Sequence, residues 1–314
     1  MTLRKRPLGR SGLQASEIGL GAWQLGARWE WSGPGEEESL RIVDEALKLG
    51  CTFVDTASPY ADGRSEEYLG RALEGRRDQA VICTKFGFWA PGYQEDHSAD
   101  RIEEAVELSL SRLRTDYLDV LLIHSPPFDL MDGTAVPHYQ ILQRLVDAGV
   151  VRAYGVADRA SSADELRRIL ETTGSSVIET NINALEQGQL DVIAEAAEAG
   201  VGVIVRTPLA SGWLSGKYDA SSRFAGDDRD NWWSEEDIRR RAGAVEEFRT
   251  LVPEGLSMAQ AALRFVLAQP EISTVIPGAK SVAQLRANVA AAEEPLPAET
   301  VDAIRAFGKT NPLR

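Results

Sequence analysis

The stretch CTFVDTASPYADGRSEEYLG, residues 51–70, joins an apolar run, a polar segment and a helical pattern. It opens with an apolar, β-branched run at 52–54, which predicts a buried strand that ends at the carboxylate of Asp55. A loop with Tyr60 follows, and then a helical pattern with Ser65 as its N-cap and acidic residues in its first turn. The stretch therefore predicts a strand, a polar loop and a helix in succession.

Two further apolar runs end in side chains that carry chemistry. Residues 80–84, AVICT, lead to Lys85, and residues 117–123, YLDVLLI, lead to His124. In barrels of parallel strands, functional groups lie where strands end and loops begin. We therefore expect the aspartate, tyrosine, lysine and histidine to meet at one end of such a barrel.

These four side chains suit the delivery of a proton. A free tyrosine has a pKa of about 10, which is too high for an efficient acid at neutral pH. A nearby ammonium stabilises the phenolate and lowers that pKa, and a carboxylate holds the ammonium in place. Taken singly, the aspartate is typical of a turn, the lysine of a strand end and the tyrosine of a surface, while the histidine fits a half-buried position. Their joint placement favours a catalytic site.

At these residues the sequence resembles the aldo-keto reductase family. The resemblance is carried by FVDTAxxYxxGxSExxLG from Phe53, by Thr84-Lys85 and by LLIH at residues 121–124. It continues through PLASG from Pro208 and VIPGAK from Val275, so it extends over essentially the whole chain.

The family's catalytic tetrad falls on Asp55, Tyr60, Lys85 and His124 without substitution. By this resemblance Tyr60 is the general acid, Lys85 and Asp55 tune it, and His124 orients the substrate carbonyl. Trp23 and Trp89 join Tyr60 and His124 as the expected substrate contacts.

Composition limits the classes of function. The chain has 314 residues, a net charge of −14 and a pI near 4.8, which argue against a general nucleic-acid or anionic-membrane surface. Its two cysteines, Cys51 and Cys83, lie in strand-like runs, and no cluster with the three histidines predicts a metal. The basic N-terminus lacks an apolar region after it, and no run is long enough to span a bilayer. We therefore expect a cytoplasmic protein, and its oligomeric state is left open.

A unit of helix, glycine and apolar strand recurs along the chain, as in EALKLG-CTFVDT at 45–56 and EAAEAG-VGVIVR at 195–206. Strands are expected at 18–23, 52–55, 80–85, 117–124, 150–156, 177–182, 201–206 and 272–276. Helical patterns lie at 37–49, 65–73, 99–113, 136–148, 162–172, 189–199, 258–268 and 282–291. The alternation indicates a parallel sheet, and eight units favour a closed (β/α)8 TIM barrel, an α/β fold, as a single domain over 1–314. An N-terminal β-hairpin is expected from 3–9 and 14–19.

Two longer segments follow strands and are expected to extend over the active face. They are residues 86–98, which include Trp89, and residues 218–233, which include Trp232 and Trp233. One interpretation is a pair of surface loops without fixed structure, and the other is a pocket wall or a clasp over a cofactor. A last helix is expected at 298–307.

A reductase also needs a source of hydride, which implies a nicotinamide cofactor. The GxGxxG fingerprint is not convincingly present, which favours a barrel-type site. Loops after the seventh and eighth barrel strands often hold phosphate, and helix N-termini attract anions. The expected cofactor contacts are Gly21, Ala22, Trp23, Asp55, Thr207, Pro208, Leu209, Ala210, Ser211, Gly212, Leu214, Lys217, Ile276, Gly278, Lys280, Ser281, Gln284 and Asn288. The alternative is that these are plain loops rich in proline and glycine.

The family resemblance implies an adenosine 2′-phosphate beside Lys280 and Ser281, with Asn288 near the adenine. Many members carry an arginine where this chain has Gln284. NADP is therefore the expected cofactor, and a strict preference over NAD is left open.

Two acids depart from the family pattern. Many members hold the nicotinamide carboxamide with neutral amides, where this chain has Asp158 and Glu179. An ionised carboxylate only accepts hydrogen bonds, so it serves the carboxamide NH₂ and not its C=O. Two such acids would favour the positively charged, oxidised ring, unless one is protonated or Asn181, Asn183 or Arg206 holds the ring instead.

The sequence thus predicts an NADP(H)-dependent oxidoreductase that interconverts an aldehyde or ketone, including sugars, with the alcohol. One alternative is a sugar or polyol dehydrogenase that works mainly in oxidation. Another is a nicotinamide-binding regulatory subunit with little turnover, similar to the family's potassium-channel β-subunits. A small carbonyl or alcohol is the expected partner, and neither nucleic acid nor membrane is.

Overall fold

The computed structural model describes residues 3–26, 33–131, 133, 136–224, 229, 232–310 and 313. Within these residues the strands are β1 Lys5–Pro7, β2 Gln14–Ser16, β3 Leu20–Gly21, β4 Phe53–Asp55, β5 Val81–Phe86, β6 Phe88–Trp89, β7 Gln94–Glu95, β8 Leu118–His124, β9 Val151–Ala157, β10 Val177–Asn181, β11 Gly202–Arg206 and β12 Thr274–Val275. The helices are α1 Glu36–Lys48, α2 Arg64–Ala72, α3 Ile102–Leu113, α4 Pro137–Asp147, α5 Ala163–Thr172, α6 Leu190–Glu198, α7 Glu235–Arg249, α8 Met258–Leu267, α9 Val282–Ala290 and α10 Ala298–Thr310.

Eight strands form one parallel sheet in the order β12-β11-β10-β9-β8-β5-β4-β3. The two edge strands meet through parallel bridges between Ile18 and Val275 and between Gly21 and Gly278. Backbone hydrogen bonds join them, since the Gly19 amide donates to the Val275 carbonyl at 2.8 Å. The predicted eightfold barrel is therefore confirmed, and each of its eight strands lies where the apolar runs predicted it.

The predicted hairpin lies across the amino-terminal end of the barrel. β1 and β2 pair in antiparallel register, and Gly9 forms a bridge to Val201 at the start of the seventh barrel strand. Leu8 is fully buried in a cluster with the inward-facing barrel residues Phe53 and Ile204. The hairpin thus covers the lower end of the barrel interior, and the strand carboxyl ends lie at the opposite end.

The helices cover the outer face of the barrel, and most begin within two residues of the predicted positions. The assignment of Ser65 as the N-cap of α2 was wrong, because Gly63, with φ 90°, precedes the first helical residue, Arg64. The Ser65 hydroxyl is instead buried, donates to the Ala22 carbonyl at 2.9 Å and pairs with the Thr56 hydroxyl at 2.8 Å. It ties the start of α2 to the end of the first barrel strand.

Two elements were not predicted. Helix α7 lies between the seventh and eighth barrel strands, and Ser234 and Asp237 form a capping box at its start. Strands β6 and β7 form a short antiparallel hairpin inside the segment 86–98. None of the helices in the described residues is long and apolar enough to cross a membrane.

Candidate active site

Four side chains converge at the carboxyl ends of the barrel strands. Asp55 ends β4, Lys85 lies near the end of β5, His124 ends β8, and Tyr60 follows β4 in a short turn. The Lys85 ammonium nitrogen lies 2.5 Å from Asp55 Oδ1, 3.0 Å from the Thr56 carbonyl oxygen and 5.5 Å from the centre of the Tyr60 ring. The rings of Tyr60 and His124 meet edge to face, 6.0 Å apart. The structure thus brings together the four residues of the expected tetrad.

The turn that carries Tyr60 is fixed by its backbone and by an arginine from outside the barrel. Three successive residues, at 61–63, have positive φ and return the chain to the start of α2. Gly63 has a φ of 90°, which L side chains rarely adopt, and a Cβ there would lie 2.5 Å from the Arg112 guanidinium, which would have to move. Arg112 donates to the Ser58 carbonyl at 3.1 Å and to Glu66 at 3.2 Å, and Glu66 also accepts from Thr84 at 2.7 Å. This network of α3, α2 and β5 sets the position of the tyrosine.

A second carboxylate lies against the Lys85 ammonium. Glu179 Oε2, from β10, is 3.2 Å from Lys85 Nζ, and both side chains are buried. Burial acts to lower the pKa of Lys85, but Asp55 and Glu179 outweigh it and hold that pKa well above its usual range. Burial, and then the charge of Glu179, raise the pKa of Asp55 to about 8 against the opposing effect of Lys85. Burial also raises the pKa of Tyr60.

His124 is a neutral imidazole in this arrangement. Burial, and then the positive charges of Lys85 and Arg206, hold its pKa well below the usual range. Its backbone carbonyl accepts a hydrogen bond from His97 Nε2 at 2.9 Å, and the ring of Phe88 meets its imidazole edge-on at 5.0 Å. The residue can therefore act as a hydrogen-bonding group, and not as a cation, at neutral pH.

Asp158 lies behind the site in an ion pair with Arg206. Arg206 Nη1 is 2.6 Å from Asp158 Oδ1, and Arg206 Nη2 donates to the Asp158 carbonyl at 3.1 Å and to the Ser161 hydroxyl at 3.0 Å. The hydroxyl of Thr180 donates to the second carboxylate oxygen at 2.5 Å. Both oxygens of Asp158 thus have partners within the protein, and Arg206, not Asp158, lines the cavity described next.

Asp55, Tyr60 and His124 border a cavity of about 600 Å³, while Lys85 lies off its wall. The expected site residues on its wall are Gly21, Trp23, Asp55, Tyr60, His124, Glu179, Thr207, Pro208, Leu209, Ser211, Gly212, Lys217, Ile276, Gly278, Lys280, Gln284 and Asn288. Those that the structure places off the wall are Ala22, Lys85, Trp89, Asp158, Ala210, Leu214 and Ser281. Of the further lining residues, Tyr93, Tyr218 and Arg229 belong to the two segments expected over the active face, Pro277 to the loop after the eighth barrel strand, and Arg206 was an alternative ring contact. The sequence did not indicate the remaining ones, which are Gln24, Ser125, Ala157, Ser215, Ala259 and Ala287.

The loops after β11 and β12 fit a dinucleotide. In the first, Thr207, Ala210, Ser211 and Gly212 all have positive φ, which turns the chain tightly around one side of the cavity. In the second, a Cβ on Gly278 would lie 2.2 Å from the terminal amide of Gln24, so a larger residue there would displace that side chain. The Asn288 side chain donates to the Gly278 carbonyl at 3.1 Å and fixes this loop on α9. The cationic side chains of Lys217, Arg229 and Lys280 line the same cavity and suit phosphate groups.

The long segment after β11 contributes aromatic side chains to the site. Trp232 stacks on Trp23 with ring centres 6.0 Å apart and an interplanar angle of 8°. Trp233 packs edge-on against Trp213 and Phe224 in a cluster beneath it. Residues 225–228 and 230–231 of the predicted loop 218–233 lie outside the described residues. The described part forms a wall above the first barrel strand.

The segment 86–98 reaches the cavity through Tyr93, whose hydroxyl accepts a hydrogen bond from Trp23 Nε1 at 3.2 Å. Trp89 points elsewhere, because the Arg101 guanidinium covers its ring at 3.7 Å and its Nε1 donates to the Asp96 carbonyl at 3.0 Å. Tyr93, and not Trp89, is therefore the residue of this segment on the cavity wall.

Comparisons with known proteins agree with this geometry. A model of the Aldo/keto reductase family matches residues 17–309. An uncharacterised oxidoreductase of Bacillus subtilis is 33% identical over 296 residues, which are 92% of this chain and 91% of that protein. The holo form of an aldo-keto reductase from Bacillus halodurans has a TM-score of 0.82 at 30% identity, covering 97% of this chain and 96% of its own. A glycerol dehydrogenase from Gluconobacter oxydans also has a TM-score of 0.82, at 27% identity, covering 99% and 96%.

Proposed function

The chain belongs to the aldo/keto reductase family of nicotinamide-dependent oxidoreductases, and from this premise we propose that it interconverts an aldehyde or ketone with its alcohol. The observation that carries the proposal is the position of Tyr60. Its ring lies on the wall of the cavity, 5.5 Å from a buried ammonium that is itself paired with Asp55. A phenol placed beside a buried cation and open to a cavity is suited to give a proton to a bound oxygen atom.

Each polar group has a distinct part in this reaction. The nicotinamide supplies or accepts the hydride when it is bound. Tyr60 donates the proton to the carbonyl oxygen in reduction and removes it from the hydroxyl in oxidation. Neutral His124 offers a hydrogen bond that orients the same oxygen, and Lys85 acts on the tyrosine through its charge. Trp23 and Tyr93 exclude water from one side of the substrate.

NADP(H) is the proposed cofactor. Lys280 lines the cavity immediately before the N-terminus of α9, and the Ser281 side chain caps that helix. A cation beside a helix N-terminus favours an additional phosphate group. This arrangement supports a preference for the form of the cofactor that carries the 2′-phosphate.

The test is the change Tyr60→Phe, which removes one oxygen atom. We expect carbonyl reduction with NADPH to fall by about 10²- to 10⁴-fold, because general acid catalysis is typically worth that much. The Kd for NADPH, from fluorescence titration, should stay within about twofold of wild type. Tyr117→Phe is the matched control, since the Tyr117 ring lies between Arg77 and Arg152, away from the cavity. Activity of Tyr60→Phe within threefold of wild type would exclude Tyr60 as the acid.

A second candidate is alcohol oxidation, favoured by the close structural likeness to a glycerol dehydrogenase. Rates with a panel of aldehydes, ketones, sugars and polyols, each with reduced and oxidised NADP and NAD, separate the two directions. A protein that binds cofactor but turns over no member of the panel would instead support a regulatory role.

A further inference from the structure

The Lys85 ammonium is held from opposite sides of the barrel. Asp55 lies on β4 and Glu179 on β10, and three strands separate β4 from β10 in either direction around the closed sheet. The ammonium nitrogen is 2.5 Å from Asp55 and 3.2 Å from Glu179. All three side chains are at least nine-tenths buried, since the exposed fraction is 0% for Lys85, 6% for Asp55 and 3% for Glu179. One buried cation thus links two carboxylates across the mouth of the barrel.

Two carboxylates and one ammonium leave an excess negative charge if all are ionised. Oxygen atoms of Asp55 and Glu179 lie within 4.8 Å of each other, in a place with little access to water. Like charges at such a distance in a buried site disfavour each other's ionised form. The raised pKa of Asp55, about 8, has burial and the charge of Glu179 as its causes and agrees with this geometry.

We propose that Glu179 is a positioning residue for proton transfer: with Asp55 it holds the Lys85 ammonium from two sides, and its carboxylate offsets part of the ammonium charge that acts on Tyr60. The inference rests on the proposed role of Tyr60 and deepens it. If position 179 held a neutral amide, Asp55 would be the one anionic partner of Lys85. More of the positive charge of Lys85 would then act on Tyr60. Here the second carboxylate offsets that charge and holds Tyr60 in its phenol form.

The other charged groups around the site do not replace this effect. Arg206 faces Tyr60 from β11, but Asp158 neutralises it at 2.6 Å. His124, on β8, is neutral because its pKa is held well below the usual range, first by burial. Cys83, on β5, is a buried thiol whose pKa burial raises well above its usual range, so it stays uncharged. The net charge of Lys85, Asp55 and Glu179 is therefore the charge beside Tyr60 that a substitution at Glu179 can change.

The first experiment is a spectrophotometric titration of the phenol. The ultraviolet absorbance of phenolate is followed against pH in Glu179→Gln and wild type, and the signal of Tyr60 is isolated by subtracting the matching Tyr60→Phe proteins. We expect the pKa of Tyr60 to fall by about one unit or more in Glu179→Gln, because above about pH 8, where Asp55 is also ionised, one of two nearby anions has been removed. In turnover, the pH at which alcohol oxidation reaches half its maximal rate should fall by the same amount. An unchanged phenolate titration would overturn the proposal.

Two variants control this measurement. Glu179→Asp retains the charge, so its Tyr60 titration should stay close to that of wild type. Glu186→Gln removes a carboxylate of the loop after the same strand, which accepts from Asn181 at 2.7 Å and Asn183 at 2.8 Å and does not contact Lys85. Its Tyr60 titration should also be unmoved. If Glu186→Gln lowered the pKa of Tyr60 as far as Glu179→Gln does, the shift would not depend on contact with Lys85, and the proposal would be wrong.

A second measurement uses the unaltered protein and does not depend on any variant folding. Infrared difference spectra between pH 6 and pH 10 should contain the C=O band of one buried protonated carboxyl group, lost as the pH passes about 8. Absence of that band at pH 6 would show that Glu179 does not hold Asp55 in its protonated form and would overturn the proposal. Both titrations are independent of turnover. A failure of Tyr60→Phe to lose activity would therefore refute the proposed function separately from the role of Glu179.

Discussion

His124 is held at the end of β8 by contacts that keep its ring uncharged. Burial, and then Lys85 and Arg206, depress its pKa well below the usual range. In the unfolded chain a histidine protonates with a pKa of about 6.5. The unfolded state therefore binds one proton more than the folded state once the pH falls below that value. Stability contributed by this residue is present above about pH 6.5 and is lost as the pH falls.

We expect His124→Gln to weaken the pH dependence of stability. The free energy of unfolding, measured by urea titration at about pH 7.5 and about pH 5, should fall less in the variant than in wild type, because glutamine takes up no proton in either state. The raised pKa of Asp55 acts in the opposite sense, since it favours the folded state at low pH, but Asp55 is present in both proteins and largely cancels in the comparison. Equal pH dependence in the two proteins would contradict a neutral, buried His124.

At the scale of single residues, strand ends were sufficient to predict that Asp55, Tyr60, Lys85 and His124 meet, but pairing across the barrel was not predictable. Lys85 was expected to act beside Asp55, which precedes it by one strand. Its second partner, Glu179, lies on the opposite side of the barrel, and nothing local in the sequence links the two. The ion pair of Asp158 with Arg206 was not predictable from local sequence either, and it neutralises one of the two acids expected near the nicotinamide, while Glu179 stays on the cavity wall.

At the scale of elements, the start of α9 forms a compact polar turn on the cavity wall. The Ser281 side chain accepts from the Gln284 amide at 3.2 Å, and Gln284 Oε1 accepts from the Lys280 amide at 2.7 Å. Gln284 thus satisfies a backbone donor that would otherwise be available to an anion. An arginine at this position cannot accept that hydrogen bond and would add a positive charge at the same place.

We expect Gln284→Arg to increase the preference for NADPH over NADH by about tenfold or more, because a charge-assisted hydrogen bond to phosphate is worth about 1.5–3 kcal/mol. Lys280→Ala should reduce the same preference. The ratio of the two Kd values, from fluorescence titration, is the measurement. Ser221→Arg adds the same charge on the exposed loop after β11 and serves as the control. A ratio that Gln284→Arg and Lys280→Ala both leave unchanged would place the 2′-phosphate elsewhere.

The elements themselves were predictable where the hydrophobic pattern is strong. Barrel strands such as β8 and β11 are buried on both faces, so their sequences are almost continuously apolar and each ends at a polar residue, His124 or Arg206. Helix α7 was missed because its sequence, EEDIRRRAGAVEEFR, is dominated by charged residues. The capping box at Ser234 and Asp237 was the available signal for its start.

At the scale of the whole molecule, the closed barrel depends on a close approach of its first and last strands. The Gly21 amide donates to the Pro277 carbonyl at 3.1 Å, and the two strands meet at Gly21 and Gly278. A Cβ on Gly21 would lie 2.8 Å from the Ile276 carbonyl oxygen, closer than such atoms approach. Since both partners are backbone, a side chain at Gly21 can be accepted only if the closing strands move apart.

Gly21→Ala is therefore expected to lower the free energy of unfolding by about 1–3 kcal/mol, the usual cost of an added group in a packed interior. Gly243→Ala is the matched change with the opposite expected sign. Gly243 lies on the exposed side of α7 with no atom within 4 Å of the added Cβ, so alanine should stabilise the helix by about 0.5–1 kcal/mol. Urea unfolding of both variants tests the pair. If Gly21→Ala were as stable as wild type, the barrel would not need the close strand contact at Gly21 and Gly278.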